Sequence, residues 1–506
     1  MAAPDVFSPV QLGPVRLRNR TVKAATFEGR TPHGEVTDEL IAYHRAPAEG
    51  GVGLTTVAYL AVAPEGRTHA EQMVVSERTL PGLTRLVEEI HATGAGIAGQ
   101  VGHAGPVANG RSNGVRALSA SSMPSPLSMQ MIGAASEKDL TRVTRAYVDA
   151  ARLLVRAGFD VLELHMAHSY LISSFLAPGL NRRRDRWGGP LERRARLARQ
   201  VARVVREEVG DAVALSAKVS VSDGFPGGVT TETGLAFAQL LEADGHLDAL
   251  QMSGGSSLMN PMYLFRGGAP VAEFAETMPT VVKWGMRTPF GKGFMKEYAF
   301  EEAYFNQKAL TFRSGLAMPL MLLGGINRLE TMQQAMADGF DFVVMGRALL
   351  REPDLVNRLQ AGSASGGICI HCNRCMPTIY SGTRCPEWAA WQFHRLSGET
   401  ASGRMKLRVP RGSSVCPVRQ FHHLGGETAE PPSAKLELVL VCAPCHRSSP
   451  RSRSASSSGP PARSVGTRSP ASTPTPTSSW SVCGPPPPRS TGRTRASSPS
   501  WAASSA

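Results

Sequence analysis

The sequence predicts an α/β fold, a (β/α)8 TIM barrel with an insertion before its seventh strand and a disordered C-terminal tail. Two observations predict the barrel. Short apolar runs alternate with amphipathic helical stretches through residues 1–360, and there are eight such runs. Alternating strands and helices form a parallel sheet, and eight units within about 350 residues favour a closed barrel over an open sheet.

The eight apolar runs each end in small or polar residues. They cover residues 21–26, 52–58, 96–101, 159–164, 213–219, 249–253, 319–323 and 340–345. Helical patterns between them cover residues 81–93, 140–157, 191–209, 232–243, 328–337 and 347–359. Because the chemistry of such barrels lies at the C-terminal ends of the strands, the residues that follow each run form the candidate site.

Residues 254–317, between the sixth and seventh runs, are longer than a simple connection requires. The stretch is rich in large apolar side chains: Met259, Tyr263, Phe265, Trp284, Phe290, Phe294, Tyr298, Phe300, Tyr304 and Phe305. We interpret it as a barrel insertion. Two roles are open for it, a lid over the site or an extra packed helix with no catalytic part.

The net charge of +14 on 506 residues suggests a nucleic-acid partner until it is mapped along the chain. Residues 386–506 hold 15 Lys and Arg against five Glu, so the first 385 residues are close to balanced. We therefore expect no nucleic-acid partner. The predicted domains are a (β/α)8 barrel at residues 1–365, a cysteine-containing C-terminal segment at 366–385 and a low-complexity tail at 386–506.

The tail changes character within itself. Residues 446–506 contain no acidic residue and no Lys, Leu, Ile, Met, Phe or Tyr. Such a segment cannot bury enough apolar area to offset its ordering entropy, so we predict disorder. A second interpretation is that the chain from about Pro386 is an out-of-frame translation of a GC-rich gene, because the hydrophobic periodicity stops abruptly there.

The composition favours a cytoplasmic protein without a membrane partner. The chain has no run of 18 apolar residues and no basic-then-apolar leader in residues 1–10, so neither a membrane span nor a secretory signal is expected. None of the eight cysteines precedes Cys369. A disulfide-built secreted protein would not leave most of its chain without cysteine.

The segment after the fourth run carries the richest chemistry. Its residues are Glu163-Leu-His165-Met-Ala-His168-Ser-Tyr170-Leu-Ile-Ser-Ser-Phe175-Leu-Ala-Pro178, continuing through Asn181, Arg182, Asp185, Trp187, Gly188 and Gly189. His165 and His168 can point into one cavity and donate hydrogen bonds to a carbonyl oxygen. The phenol of Tyr170 can deliver a proton. A zinc pair is an alternative, but no third ligand is evident nearby.

This segment resembles the Old Yellow Enzyme and 2,4-dienoyl-CoA reductase family of NADH:flavin oxidoreductases. The family pattern is His-x-x-His-Gly-Tyr-Leu, then Phe-Leu-Ser-Pro, then Asn-x-Arg-x-Asp-x-Tyr-Gly-Gly. The chain departs from it by Ser169 for Gly, Ala177 for Ser and Trp187 for Tyr. The resemblance implies an FMN-dependent barrel enzyme with catalytic residues Tyr170, His165 and His168, the two histidines also binding substrate.

The resemblance also implies a set of cofactor-binding residues at strand ends: Ala24, Ala25, Thr26, Ala58, Gln100, Lys218, Gly324, Gly325, Gly346 and Arg347. Gln100 would bond the pyrimidine edge of the flavin, and Lys218 would stabilise negative charge on it. The glycine turns and Arg347 would form the phosphate site. Phe27 stands where relatives often have Thr or Cys, and we expect it in the substrate site.

Two of these residues have a competing interpretation. A buried lysine needs an anion, so we expect flavin to be the missing partner of Lys218; a solvent-exposed place at the barrel rim is the alternative. Gln100 could likewise be a surface amide. His103, in Gln100-Val-Gly-His103-Ala-Gly105, is expected to be structural rather than catalytic.

Cys369, Cys372, Cys375 and Cys385 form an ambiguous cluster. A C-x2-C-x2-C run can ligate a [4Fe–4S] cluster in other folds, and some relatives carry a four-cysteine site here with a different spacing. We expect reduced structural thiols, with no metal and no [4Fe–4S] cluster. Iron–sulfur and zinc sites are the alternatives.

The sequence therefore predicts an FMN-dependent NAD(P)H oxidoreductase, an ene-reductase acting on a small α,β-unsaturated carbonyl compound or enoate. A homo-oligomer is compatible with the sequence. A flavin-dependent oxidative demethylase on the same fold is the first alternative. A metal- or nucleic-acid-binding protein that uses the cysteines and the Arg/Ser tail is the second, and it leaves the barrel motifs unexplained.

Overall fold

Eight parallel strands close into a barrel in the computed structural model, as the alternating pattern predicts. In chain order they are Thr21–Lys23, Leu54–Ala61, Gly96–Gly102, Val161–Met166, Ala214–Ser220, Ala249–Ser253, Leu320–Leu323 and Phe342–Met345. We refer to them as the first to the eighth barrel strand. Each pairs in parallel with its neighbours in the sequence, and the eighth closes on the first where Met345 pairs with Lys23.

The structure describes residues 3–125, 128–277, 283–285 and 288–387. All of them belong to one compact unit. Residues 388–506 lie outside the described residues, and so do the predicted disorder of the tail and its interpretation as out-of-frame translation. No helix in the described part of the chain is both long enough and apolar enough to cross a membrane.

Helices follow most barrel strands close to their predicted positions. The longer ones are Asp38–Glu49, Leu80–His91, Glu137–Ala157, Arg196–Val209, Thr231–Asp244 and Leu329–Ala337. The longest begins at a capping box, in which Ser136 and Asp139 each satisfy the other's backbone N–H, and ends before Gly158 at a φ of 91°. Local sequence signals therefore set both ends of this helix: the capping box at its start and the glycine at its end.

Two predicted helices are each broken in two, and one of the long helices was not predicted. The helical pattern at residues 191–209 divides into Leu191–Arg194 and Arg196–Val209. The pattern at 347–359 divides into Arg347–Arg351 and Leu355–Gln360, because Pro353 forces the preceding residue out of the helical region. The missed helix, Asp38–Glu49, contains Pro47, which obscured its pattern.

The barrel lumen is filled from the bottom by apolar side chains. A two-stranded hairpin, Val10–Leu12 with Val15–Leu17, packs Leu12 and Leu17 against inward residues such as Ala98 and Phe342. Successive inward positions of a strand lie two residues apart. One layer above Ala98 is therefore Gln100, the start of a polar layer that faces the open end of the barrel.

The insertion predicted at residues 254–317 lies between the sixth and seventh strands. Its described helices are short, apart from the last: Pro261–Leu264, Val271–Glu276, Pro289–Phe294 and Asn306–Gly315. A small three-stranded sheet, which was not predicted, follows the third strand and comprises Leu118–Ser119, Met123–Pro124 and Met131–Ala134.

Candidate functional site

A cavity of about 300 Å³ opens at the C-terminal ends of the barrel strands. It brings together nearly every predicted site residue: Ala24, Ala25, Thr26, Phe27, Ala58, Gln100, His165, His168, Tyr170, Lys218, Gly325, Gly346 and Arg347. Gly324 is next to the cavity in sequence but does not line it. Because Ser253 at the end of the sixth strand also lines this cavity, it contains residues from all eight strand ends.

The two histidines and the tyrosine form a stacked group on one wall. The rings of His165 and Tyr170 are parallel within 8°, with centroids 4.1 Å apart. The His168 ring stands edge-on to His165 at 5.1 Å. Tyr59, which the sequence analysis did not single out, packs edge-on against Tyr170 at 5.3 Å. Its hydroxyl donates a hydrogen bond to the carbonyl of Gly66 at 2.6 Å. Tyr59 therefore supports the Tyr170 ring by packing, and its hydroxyl is not available to a substrate.

Burial fixes the protonation states of this group. It lowers the pKa of His168 to about 3, and the nearby Lys218 cation adds to the effect. Burial, then His168 and Lys218, lower the pKa of His165 well below its ordinary value. Both imidazoles are therefore neutral near pH 7. Burial raises the pKa of Tyr170, so its phenol keeps its proton over the same range.

A strained turn presents these side chains to the cavity. His168 and Ser169 both have left-handed backbone conformations, with φ of 61° and 62°. Each is tied to the end of the sixth strand: His168 Nε2 lies 2.8 Å from Ser253 Oγ, and Ser169 Oγ lies 2.6 Å from Ser256 Oγ. The family pattern has glycine in place of Ser169, and the positive φ explains that preference. Here two side-chain hydrogen bonds hold the turn instead.

Lys218 is buried and ion-paired, with Nζ 3.1 Å from Glu163 Oε1. The premise that Lys218 lacks a protein anion is therefore wrong, and so is the alternative of an exposed place at the rim. Its contact with flavin stays a prediction. The same Glu163 oxygen accepts a hydrogen bond from Gln100 Nε2. Gln100 is also buried, which excludes a surface amide.

Sequence reasoning missed Glu163 as a site residue, although a signal was present. Residues two apart in a strand point to the same face, so Glu163 and His165 both point inward. A carboxylate at an inward position of a barrel strand requires a buried partner. Lys218, on the adjacent strand, is that partner, and it also explains how a lysine is tolerated in the lumen.

The opposite end of the cavity is built from glycine turns. Gly324 and Gly325, after the seventh strand, have φ of 147° and 80°. A Cβ on Gly325 would lie 2.6 Å from the Phe300 ring and 2.7 Å from the Tyr304 ring, so only glycine allows this approach.

Arg347, after the eighth strand, is held in place by two other parts of the chain. Its guanidinium donates to the Arg266 carbonyl at 2.7 Å and to Asn373 Oδ1. Arg266 belongs to the insertion and Asn373 to the C-terminal segment. Arg347 therefore enters the cavity as a fixed rather than a freely moving cation.

The C-terminal segment, residues 366–385, forms a wall of the cavity that the sequence did not predict. Its lining residues are His371, Cys375, Met376, Ile379, Tyr380 and Thr383. Thr383 anchors the segment beside the first strand, since its backbone N–H donates to the Glu28 carbonyl at 2.7 Å and its hydroxyl donates to the Phe27 carbonyl. Tyr380 then stands edge-on to the Phe27 ring at 5.6 Å.

The insertion also contributes to the wall. Leu264, Phe265, Phe274, Phe294 and Tyr304 line the cavity. Of the two roles left open for the insertion, this position supports a cover over the site more than a helix packed away from it. Trp284 is exposed, and the side chain of Phe290 lies outside the described residues.

Burial keeps the thiols of Cys369 and Cys375 protonated near neutral pH. Burial raises the pKa of Cys375 to about 12 and also raises that of Cys369. Among the described residues, no set of three or more His, Cys, Asp and Glu side chains is placed to hold a metal ion. That the cluster carries neither iron–sulfur nor zinc stays a prediction. His103 is buried and does not line the cavity, and a structural role stays a prediction too.

The residues present fit FMN. Gln251 Nε2 is buried in register with Lys218 and has no hydrogen-bond partner among the described residues. Together with Gln100 and Lys218 it offers donors to the oxygen- and nitrogen-bearing edge of a flavin. Glycine turns and Arg347 at the other end suit a phosphate, and apolar walls between them suit a flat ring system.

Comparison with known proteins gives a consistent picture. Residues 5–253 match the model of the NADH:flavin oxidoreductase / NADH oxidase family. A relative from Rhodococcus erythropolis, 4,4'-dithiodibutanoate disulfide reductase, is 51% identical over 382 residues, which span 76% of this chain and 94% of the relative. An NADH oxidase from Thermoanaerobacter brockii is 30% identical over 380 residues, and there the match spans only 53% of the relative.

The barrel fold recurs in solved structures. An old yellow enzyme homologue from Zymomonas mobilis superposes with a TM-score of 0.58 at 21% identity, covering 76% of this chain and 98% of that one. At this identity the likeness concerns the fold alone.

Proposed function

Because this chain belongs to the NADH:flavin oxidoreductase / NADH oxidase family, and is thus a flavin-dependent NAD(P)H oxidoreductase, we propose that it is an ene-reductase. Its substrate would be a small α,β-unsaturated carbonyl compound or enoate. The observation that carries the proposal is the stacked group of two neutral imidazoles and a protonated phenol on one wall of the cavity. This set can bind a carbonyl oxygen and deliver a proton next to it.

Bound FMN supplies the hydride that NAD(P)H provides and the alkene receives. Gln100 and Lys218 would hold its pyrimidine edge, and Ala24, Ala25, Thr26 and Ala58 would lie along its ring. The turns at Gly324–Gly325 and Gly346–Arg347 would hold its phosphate. Phe27, edge-on to Tyr380, would narrow the space left for substrate.

His165 and His168 would bind the substrate carbonyl oxygen. A neutral imidazole donates one hydrogen bond, and two such donors polarise the conjugated double bond without placing a full charge beside it. His168 Nε2 is engaged with Ser253, which leaves Nδ1 for the substrate. The strained turn at His168 and Ser169 thus fixes the position of the donor before substrate arrives.

Tyr170 would protonate the α-carbon. Its ring is held between His165 and Tyr59, so its hydroxyl has little freedom to leave the cavity. Because burial keeps its pKa above the ordinary value, the phenol carries the proton at every pH at which the protein is used. The protonated form is the one that the step consumes.

Tyr170→Phe tests this assignment. We expect nicotinamide oxidation to continue at the wild-type rate while reduction of cyclohex-2-enone slows by about 10²-fold or more, the usual range for loss of a general acid. Stopped-flow measurement of the two half-reactions separates them. Tyr147→Phe, a buried tyrosine outside the cavity, is the control. Unchanged enone reduction in Tyr170→Phe would show that another group donates the proton.

Reduction of a disulfide is a second candidate, because the 51% identical relative is named for that reaction. One NAD(P)H and one proton would convert a disulfide into two thiols, and Tyr170 would protonate the first thiolate to leave. Assay of 4,4'-dithiodibutanoate beside cyclohex-2-enone discriminates the two. Turnover of the disulfide with no turnover of any enone would reject the ene-reductase proposal.

A further inference from the structure

Three buried side chains meet at the bottom of the cavity, where the lumen begins. Glu163 Oε1 accepts from Lys218 Nζ at 3.1 Å and also from Gln100 Nε2. All three are at most 4% exposed. They lie on the third, fourth and fifth strands, which pair directly, so the contact joins three neighbouring strands.

Lys218 and Gln100 are among the side chains that would meet the pyrimidine edge of FMN, and Glu163 touches both. A long side chain such as lysine loses much rotamer freedom when it is fixed, so an unheld Lys218 would sample several positions. The shared carboxylate removes that freedom before FMN binds. It also places a negative charge beside the Lys218 ammonium.

We infer that Glu163 is a positioning residue that aims Gln100 and Lys218 at the flavin and offsets the charge of Lys218. An uncompensated cation at this edge would favour reduced over oxidised FMN, because reduction adds negative charge there. With Glu163 present, the layer is close to neutral. The flavin therefore keeps a lower reduction potential, which favours passing its electrons to an acceptor.

The test is the ratio of the affinities of the protein for reduced and oxidised FMN. Fluorescence titration gives the oxidised affinity, and the potential of bound against free FMN gives the ratio, both without turnover. We expect Glu163→Gln to raise the ratio tenfold or more, equivalent to a rise of about 30 mV for a two-electron couple. Glu163→Asp keeps the charge with a shorter reach. It should leave the ratio within about threefold while weakening binding of oxidised FMN.

The double variant E163Q/K218M covers the case in which Glu163→Gln alone does not fold. It buries no unpaired charge, and replacement of a buried ion pair by neutral residues is often tolerated. We expect K218M alone to lower the ratio of reduced to oxidised FMN affinity. Adding E163Q should recover at least half of that decrease in the logarithm of the ratio. Asp223→Asn, which changes a buried carboxyl that does not line the cavity, is the control.

Two results would overturn the inference. One is a ratio in folded Glu163→Gln that equals that of wild type. The other is a double variant whose ratio is as low as that of K218M, since Lys218 would then set the potential without help from Glu163. The outcome is independent of the electron acceptor, so it does not depend on the ene-reductase proposal.

Discussion

At the scale of single residues, the site depends on which groups carry charge inside the barrel. The imidazoles of His165 and His168 are neutral because burial and the Lys218 cation disfavour their protonated forms. Lys218 itself keeps a partner, Glu163. The motif after the fourth apolar run indicated His165 and His168, and the family resemblance indicated Lys218. The Lys218–Glu163 pair could not be predicted, because the two residues are 55 positions apart in the sequence and come together only when the fourth and fifth strands pair.

The depressed pKa of His168 has a consequence for stability. Its folded pKa of about 3 lies below the ordinary value of 6.5, so between these limits the unfolded chain binds more protons and the free energy of unfolding rises with pH. We expect His168→Asn to flatten that rise by about 1 kcal/mol per pH unit between pH 4 and 6. Urea unfolding at several pH values measures it, with the exposed His33→Asn as control.

The free energy of unfolding of wild type and of His168→Asn could instead change in parallel with pH across this range. His168 would then protonate as readily in the folded state as in the unfolded one. The donor role proposed for its neutral ring would then lose its basis.

At the scale of elements, the turn after the fourth strand has a strained backbone at His168 and Ser169, and side-chain hydrogen bonds hold it in that conformation. Ser169→Ala loses the bond to Ser256 and keeps the positive φ, whereas Ser169→Gly loses the same bond and removes the strain. We expect the alanine variant to be less stable than the glycine variant by about 1 kcal/mol. Chemical denaturation of both gives the difference. The reverse order would show that the turn is unstrained.

The C-terminal segment is the element whose role the sequence concealed. Its cysteine spacing drew attention to metal chemistry, whereas its place in the cavity wall depends on contacts of Thr383 with Phe27 and Glu28 that lie more than 350 positions away. No periodicity within the segment encodes such contacts. The insertion was easier, because its aromatic content already indicated a buried face.

Tyr380→Ala tests the wall directly. The ring contacts Phe27 and His69, and aromatic pairs contribute about 0.5–1.5 kcal/mol each. We expect the KM for an enone to rise by about threefold to tenfold while FMN affinity stays within about twofold. Ile368→Ala, exposed in the same segment and outside the cavity, is the control. A loss of FMN with an unchanged KM would place Tyr380 on the cofactor side instead.

At the scale of the whole molecule, the barrel was predictable because its period is repeated eight times. Each strand was located within a few residues, and the glycine turns after the seventh and eighth strands marked one end of the cavity. Helix boundaries were less predictable where a proline breaks a helix, as Pro353 does between Arg347–Arg351 and Leu355–Gln360. The partner of a buried charge, or the wall formed by a distant segment, follows only from closure of the barrel.

Thr383 is the last described residue that lines the cavity, and residues 446–506 are poor in apolar side chains. We expect a chain that stops at Glu387 to fold and to bind FMN with the affinity of the full chain, because it keeps every described residue that lines the cavity. Fluorescence titration and thermal unfolding of the shortened chain check this. Loss of FMN binding on shortening would show that residues after 387 complete the site.

The central claim is that the barrel mouth binds one FMN that NAD(P)H reduces. The most direct measurement is the absorption spectrum of the purified full chain, before and after anaerobic addition of NAD(P)H. We predict a flavin band near ~450 nm, equivalent to one FMN per chain, that disappears on reduction. A folded protein that is colourless and does not bind added FMN would contradict the account.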